Sequence, residues 1–440
     1  MKTVVVLGAG MVSRPLVRYL LGQPDFTVIM ASRTVSKAEK IIAGHARGQA
    51  HTLDVTNDAQ TEDFVSKSDL VVSLLPYEYH VKVANMCITH KKHLVTTSYV
   101  SDAMRTLDAP AKKAGILILN ECGLDPGIDH MSAMRIIHDV ENKGGKIVSF
   151  RSTTGALPTH EANNNPFGYK FSWSPRGVLL ASRNAAKWLE NGKEVSVPGE
   201  QLFEHYSIQD VPGVGSFENY PNRNSVPYKD VYGLNHAKTV YRGTFRMAGW
   251  CETLRKLVAL GWLSDDPVNG FPGTTYRDVT RHLIGARSDE DLVSATAKFL
   301  DLEKYSTVIK RFEWLGLFSD EPLPQDKNNP LDYLNVLMLK KMSYEPGEKD
   351  MIVMHHEFVA EYPSNKEYIT STLVDYGIPH GDSSISRTVA LPAAIAVKMI
   401  LKNKITLTGV RIPVIPELYD PILDELEHMG IKFNEKTVDL

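Results

Sequence analysis

The chain has 440 residues, a hydrophobic share of 43%, a charged share of 23% and a formal net charge of −3. A length beyond that at which single cores stop growing calls for two or three domains, and a near-neutral balance without a basic stripe excludes a general drive toward nucleic acid or an anionic membrane. Cys87, Cys122 and Cys251 are odd in number and widely spaced, with no C-x-x-C pair, which fits a reducing compartment rather than a disulfide framework. The first residues already read as a strand, leaving no room for a signal peptide. The late apolar run from Val389 to Val397 is too short to span a bilayer and holds Pro392, so a cytoplasmic protein with no membrane partner is expected.

In chain order, Val4 to Leu7 is an unbroken apolar run, the pattern of a buried parallel strand. Gly8 and Gly10 follow directly, and Leu16, Val17, Leu20 and Leu21 then recur at helical spacing. Strand, glycine turn and helix open a dinucleotide-binding βαβ unit. Gly8 permits the tight turn, Gly10 lets the backbone approach a pyrophosphate, and the free N–H groups of the helix bind the anion. Ser13 stands where the third glycine of G-x-G-x-x-G is expected, so this helix need not sit as close to its strand. Thr27 to Ala31 is the second strand, followed by Ser32, Arg33 and Thr34 where an acidic residue would hydrogen-bond the ribose of NAD. A guanidinium fork flanked by hydroxyls suits a 2′-phosphate, which favours NADP.

A short helix from Thr34 to Ala43, a strand from Ala50 to Val55, a strand from Leu70 stopped by Pro76, a helix from Tyr79 to Ile88, and strands at Leu94–Tyr99 and Gly115–Asn120 continue the alternation. That order implies a parallel, doubly wound sheet whose ligands lie outside the carboxyl ends of its strands. Leu75-Pro76, Thr97 to Tyr99 and Glu121 to Asp129 therefore face the cofactor. Lys146 to Thr154 is strand-like. Between Pro158 and Tyr232 the density of Pro, Gly and Asn predicts loops between short elements. Gly249 to Met342 reads as helical, best at Glu252–Leu260, Ser288–Leu300 and Leu331–Met342. Asp350–Glu361 and Glu367–Asp375 read as a hairpin turning at Pro363 to Lys366, and Ser386–Leu401 and Pro416–Met429 as helices that cover the open sheet. His80, His130 and His160 are read as structural, and His355-His356, on opposite faces of a strand, form no metal pair.

Several phrases together resemble saccharopine reductase, the NADP-dependent, glutamate-forming saccharopine dehydrogenase family: GAGMVSRP at 8–15, TTSYVS at 96–101, NECGLDPGIDH at 120–130, GYKFSWS at 168–174 and YPNR at 220–223. The resemblance runs through nearly the whole chain in the family's order. It implies an α/β fold with a Rossmann doubly wound parallel sheet (1–125 and 385–440), a mixed α/β substrate and dimerisation domain (126–240 and 343–384) and an all-helical inserted domain (241–342), assembled as a homodimer. The implied reaction is condensation of L-glutamate with L-2-aminoadipate 6-semialdehyde to an imine, which NADPH reduces to saccharopine, or the reverse oxidation, in lysine biosynthesis.

By the same resemblance Gly8, Ala9, Gly10, Met11 and Val12 hold the pyrophosphate, and Ser32, Arg33 and Thr34 the 2′-phosphate. Asp54 and Val55 lie by the adenine; Leu75, Thr97, Ser98, Leu124, Asp125, Pro126 and Ser174 lie toward the nicotinamide. Ser98, Tyr99, Asp125, Arg223, Thr244, Phe245 and Arg246 are the implied substrate residues, because a product with three carboxylates calls for guanidinium partners. Thr154 replaces a cysteine the family often carries near the substrate, so the proton for the imine nitrogen must come from Tyr99, Asp125, bound water or the substrate itself. Two other readings remain: a carboxyspermidine-type or other opine-forming imine reductase, and a non-catalytic nucleotide-sensing protein.

Overall fold

A computed structural model describes residues 1–268 and 274–440; residues 269–273, inside the predicted helical block, lie outside the described residues. The chain divides into two compact units, one made of 1–146, 360–366 and 371–440, the other of 147–359 and 367–370.

The first unit is built on a seven-stranded parallel sheet. Strands β1 (Lys2–Leu7), β2 (Phe26–Ser32), β3 (Gly48–Thr52), β4 (Leu70–Ser73), β5 (His93–Thr96) and β6 (Leu117–Leu119) alternate with helices α1 (Ser13–Leu21), α2 (Val35–Ile42), α3 (Asp58–Ser66) and α4 (His80–His90). The sheet order is β6-β5-β4-β1-β2-β3, with the strand Gly409–Arg411 added outside β6. The strand order reverses between β1 and β4 while the strands stay parallel, and this is the switch point at which a dinucleotide binds in such sheets. Val4, Val5, Val6 and Leu7 are fully buried because helices cover both faces. The third strand ends at Thr52, so Asp54 stands in the turn that follows rather than inside a strand.

The helix Ser384–Leu401 packs on α1, β4 and β5, and fourteen of its residues are buried. At 18 residues it is longer than the apolar run alone suggested, and by length and composition it reaches the threshold of a membrane span. With 78% of that window buried it serves as a core helix. Its alanines (Ala390, Ala393, Ala394, Ala396) are fully buried, which lets neighbouring backbones come close. The helix Pro416–His428 lies on the helix Ile128–Asn142, joined by Arg135 to Asp420 and Asp424 and by His138 to the Tyr419 hydroxyl.

In the second unit the strands Ser207–Val211, Gly215–Pro221, Thr239–Arg246, Lys146–Pro158 and Asp350–Glu361 follow one another across a mixed sheet, and a hairpin of Ala186–Glu190 with Lys193–Val197 pairs alongside. Between 158 and 232, where the sequence predicted loops between short elements, four of those elements are strands, each five to seven residues long and bounded by the turn residues that dominated the pattern. The strand Lys366–Tyr376 comes after Asp350–Glu361 and follows a turn closed by the Tyr362 N–H donating to the Asn365 carbonyl, as the hairpin pattern requires. The helices Trp250–Ala259, Tyr276–Ile284, Leu292–Phe299, Thr307–Leu315 and Pro330–Lys341 share one apolar core with Phe167, Tyr169, Phe171 and Tyr220.

Candidate active site

In the first unit every predicted cofactor residue stands on the carboxyl edge of the parallel sheet. Gly8 has φ +109, and a Cβ there would lie 2.8 Å from the Leu74 carbonyl oxygen, so only glycine fits. Gly10 is exposed, and a Cβ on it would have no atom within 4 Å on the protein side. The fold itself requires glycine at position 8 but not at position 10, which leaves the space over Gly10 open. Ser13 turns back: its hydroxyl donates to the Gly10 carbonyl at 2.8 Å, closing the turn a third glycine would otherwise shape. The helix that follows has no side-chain cap at Val12, and the N–H of its first residue, Ser13, donates to the Gly10 carbonyl.

At the end of β2, Arg33 and Thr34 are exposed and Ser32 half-buried. Asp54 accepts from both the N–H and the hydroxyl of Thr56, and these bonds, aided by Lys82 and Arg33, hold its carboxyl below the usual range. Arg33 thus has a fixed anion for a neighbour and a guanidinium fork turned outward, a donor set that suits a phosphate monoester.

Past β5 and β6 the chain brings together the pair at the centre of the predicted site. The Tyr99 hydroxyl donates to an Asp125 carboxylate oxygen at 2.9 Å. Glu121 brackets both loops. One of its oxygens accepts from the Val100 N–H at 2.9 Å, the other meets His130 Nε2 at 2.7 Å, and its own N–H donates to the Ser98 carbonyl. Glu121 and His130 are buried, so their contact is little screened. Sequence reasoning set His130 aside as structural and did not single out Glu121. The signal available was only their place in the 120–130 phrase.

Ser98 has a second neighbour that was also set aside. His80, the first residue of α4, lies with Nε2 2.8 Å from the Ser98 hydroxyl and Nδ1 2.9 Å from the Ser73 hydroxyl. Burial pushes its pKa down to about 4.

The second unit holds the remaining predicted residues. Arg223 is exposed on left-handed backbone (φ +53), its carbonyl accepting from the Lys187 N–H. Arg246 is buried, with its guanidinium over the rings of Tyr169, Trp250 and Tyr220 at 4.9, 5.5 and 5.9 Å. Its Nη1 donates to the Phe245 carbonyl at 2.8 Å, while Nε and the Trp250 indole N–H are buried without a hydrogen-bond partner among the described residues. A desolvated cation with an unused donor, faced by three aromatic rings, is a ready partner for a carboxylate. Phe245 is a correction: its side chain is fully buried against Phe217, Leu157, Met351 and Val353, so it is a core residue that offers only its carbonyl. Thr244 lies in register with Thr154 on the adjacent strand, which places the missing cysteine's position beside a predicted substrate residue. Ser174 is exposed and its hydroxyl accepts from the Gly177 N–H, starting the helix Pro175–Ala181.

The profile described as the saccharopine dehydrogenase NADP binding domain matches residues 4–119, and that of the saccharopine dehydrogenase C-terminal domain matches residues 123–431. The chain is 40% identical over 449 residues to the saccharopine dehydrogenase [NADP(+), L-glutamate-forming] of Schizosaccharomyces pombe, covering 100% of both chains. It is 42% identical over 448 residues to the protein of the same description from Saccharomyces cerevisiae, covering 99% of each. Among solved structures, the apo saccharopine dehydrogenase (L-Glu forming) from Saccharomyces cerevisiae superposes with a TM-score of 0.92 at 40% identity over 100% of each chain.

Proposed function

The chain belongs to the saccharopine dehydrogenase family, and from that premise we propose that it is an NADP-dependent, L-glutamate-forming saccharopine dehydrogenase. It joins L-glutamate and L-2-aminoadipate 6-semialdehyde as an imine, reduced to saccharopine, or runs the reverse. The observation that carries this reading is the alignment of the glycine turn, Arg33 and the Tyr99–Asp125 pair along one carboxyl edge.

The residues present fit the dinucleotide. Open space over Gly10 and the uncapped start of α1 suit the pyrophosphate at Gly8 to Val12, and Ser32 to Thr34 suit the 2′-phosphate. Asp54 and Val55 serve the adenine, and Leu75, Thr97, Ser98, Leu124 to Pro126 and Ser174 the nicotinamide end. When bound, NADPH supplies the hydride. The chain's own groups position and polarise. Ser98, Arg223, Thr244 and the caged Arg246 take the substrate's acid groups. Asp125, ordered by the Tyr99 hydroxyl, stabilises the positive charge of a protonated imine and, with Tyr99, holds the proton that the nitrogen exchanges.

The protein is further read as acting on small molecules in a reducing compartment, the cytoplasm, for which its three free, buried thiols speak, and as a homodimer, which rests on the family resemblance alone. Size-exclusion chromatography with light scattering and cell fractionation test it; a monomer, or an organellar pool, overturns the corresponding part. The activity is tested by following NADPH absorbance with glutamate plus the semialdehyde. Turnover with that pair is expected, and failure with it alongside activity on a polyamine overturns the assignment.

A further inference from the structure

His80 is a buried imidazole that the chemistry above does not use, yet it touches a residue that the chemistry does. It stands at the N-terminus of α4, where the helix dipole and burial both disfavour a charged ring. The ring lies between two hydroxyls, Ser73 at the carboxyl end of β4 and Ser98 just beyond β5, with Thr96 Oγ1 a more distant neighbour of Nε2 at 3.4 Å. A neutral imidazole has one donor nitrogen and one acceptor nitrogen. The two serine contacts therefore cannot be set independently: one hydroxyl donates to the ring and the other accepts from it.

The proposed ligands decide which. Their carboxylates only accept hydrogen bonds at neutral pH. Ser98 meets such a group well only when its own proton points to the ligand and its lone pair takes a proton from Nε2. Nδ1 is then the acceptor, and Ser73 donates to it. We infer that His80 is a positioning residue whose Nε2–H, held in place by Ser73, fixes the Ser98 hydroxyl as a donor toward the acidic substrate. The opposite tautomer would draw the Ser98 proton into the ring and turn a lone pair on the carboxylate. Burial, which keeps the imidazole uncharged at neutral pH, supports the same arrangement.

This inference rests on the function proposed above, and its test separates the two. Nitrogen-15 spectra of the histidine rings in the wild-type protein, free and with saccharopine, report the tautomer directly. A neutral Nε2–H ring at His80 is expected, and an Nδ1–H ring overturns the inference whatever the enzyme turns over. In kinetics, Ser98→Ala and His80→Asn are each expected to raise the amino-acid KM about tenfold, the loss of one hydrogen bond to a charged group. The double variant should be no worse than either single one. His80→Gln, whose amide N–H takes the place of Nε2–H, should recover most of the loss. Additive effects, or a Gln variant no better than Asn, overturn the proposal. Should His80→Asn fail to fold, Ser73→Ala carries the test, because it removes only the hydroxyl behind the ring; an unchanged KM there counts against it. A wild type that binds NADPH but does not turn over the saccharopine pair would sink the functional reading alone.

Discussion

On the proposed reading Arg33 decides the cofactor by charge. The end of β2 offers no carboxylate for a ribose hydroxyl, and Asp54, on which Arg33 acts electrostatically, is already hydrogen-bonded by Thr56. Replacing Arg33 with Ala should weaken NADPH about 10- to 100-fold, one or two charge-assisted hydrogen bonds, and leave NADH unchanged; fluorescence titration with both cofactors measures it, and equal losses would remove the 2′-phosphate argument. Arg246 depends on its fork as well as its charge. Arg246→Lys keeps the cation among Tyr169, Tyr220 and Trp250 but loses the planar donors, so the KM for the amino-acid substrate should rise about tenfold with the fold intact. An unchanged KM would make Arg246 a purely structural cation. His80 gives stability a pH dependence of known sign. The unfolded imidazole titrates at 6.5 and the folded one at about 4, so on acidification the unfolded chain takes the proton first. Stability present above pH 6.5 is lost on the way down to about pH 4, by about 3 kcal/mol in all. Urea unfolding across that range should show a shallower slope for His80→Gln. The setting of His80 was not visible in the sequence, because it is made special by Ser73 and Ser98, which reach it through strand pairing rather than through proximity in a motif.

Among elements, the glycine turn shows how two residues of one type differ in their duty. Gly8→Ala sets a Cβ 2.8 Å from the Leu74 carbonyl at φ +109, and should destabilise the protein by about 1–3 kcal/mol. Gly10→Ala meets nothing on the protein side, so its melting temperature should hold while NADPH affinity falls. A matched loss of stability in both variants would refute the distinction. The same turn was plain in the sequence because β1, the glycines and α1 each carry their own local pattern. Strands β4, β5 and β6 were legible for the same reason: each is a short apolar run ended by polar or turn residues. The strand Gly409–Arg411 was not, since it holds a single apolar residue, Val410, between a glycine and an arginine, and neither was Phe433–Asp439, whose charged, exposed face hides its strand character. The helix Tyr276–Ile284 falls inside the block read as helical but was not singled out there, because three buried positions stand among four charged or polar neighbours. Phe245 was placed in the site by its neighbours in the Thr-Phe-Arg phrase, although strand alternation sends its side chain to the opposite face from Thr244 and Arg246.

Across the whole chain the three cysteines settle what sulfur contributes. All are free and buried, and burial raises each thiol, with the Glu218 carboxylate adding to the effect at Cys251. Raised this far by burial, the thiols offer no thiolate at neutral pH to act as a base or a nucleophile, and Thr154 stands where the resemblance implied a cysteine. The Thr154 hydroxyl is buried without a hydrogen-bond partner among the described residues, so its removal costs no bond in the free protein. Thr154→Val should leave kcat unchanged and stabilise the fold by up to about 1 kcal/mol, the desolvation relieved on removing an unpaired polar group. Tyr99→Phe and Asp125→Asn should each lower kcat about 100-fold, the scale of one general acid–base group, and flatten one limb of the pH–rate profile. Iodoacetamide at neutral pH should then leave wild-type activity intact. If Thr154→Val instead lowered kcat as far as Asp125→Asn, or alkylation stopped turnover, proton transfer would run through position 154 or a thiol, and the Tyr99–Asp125 pair would be reduced to holding the substrate.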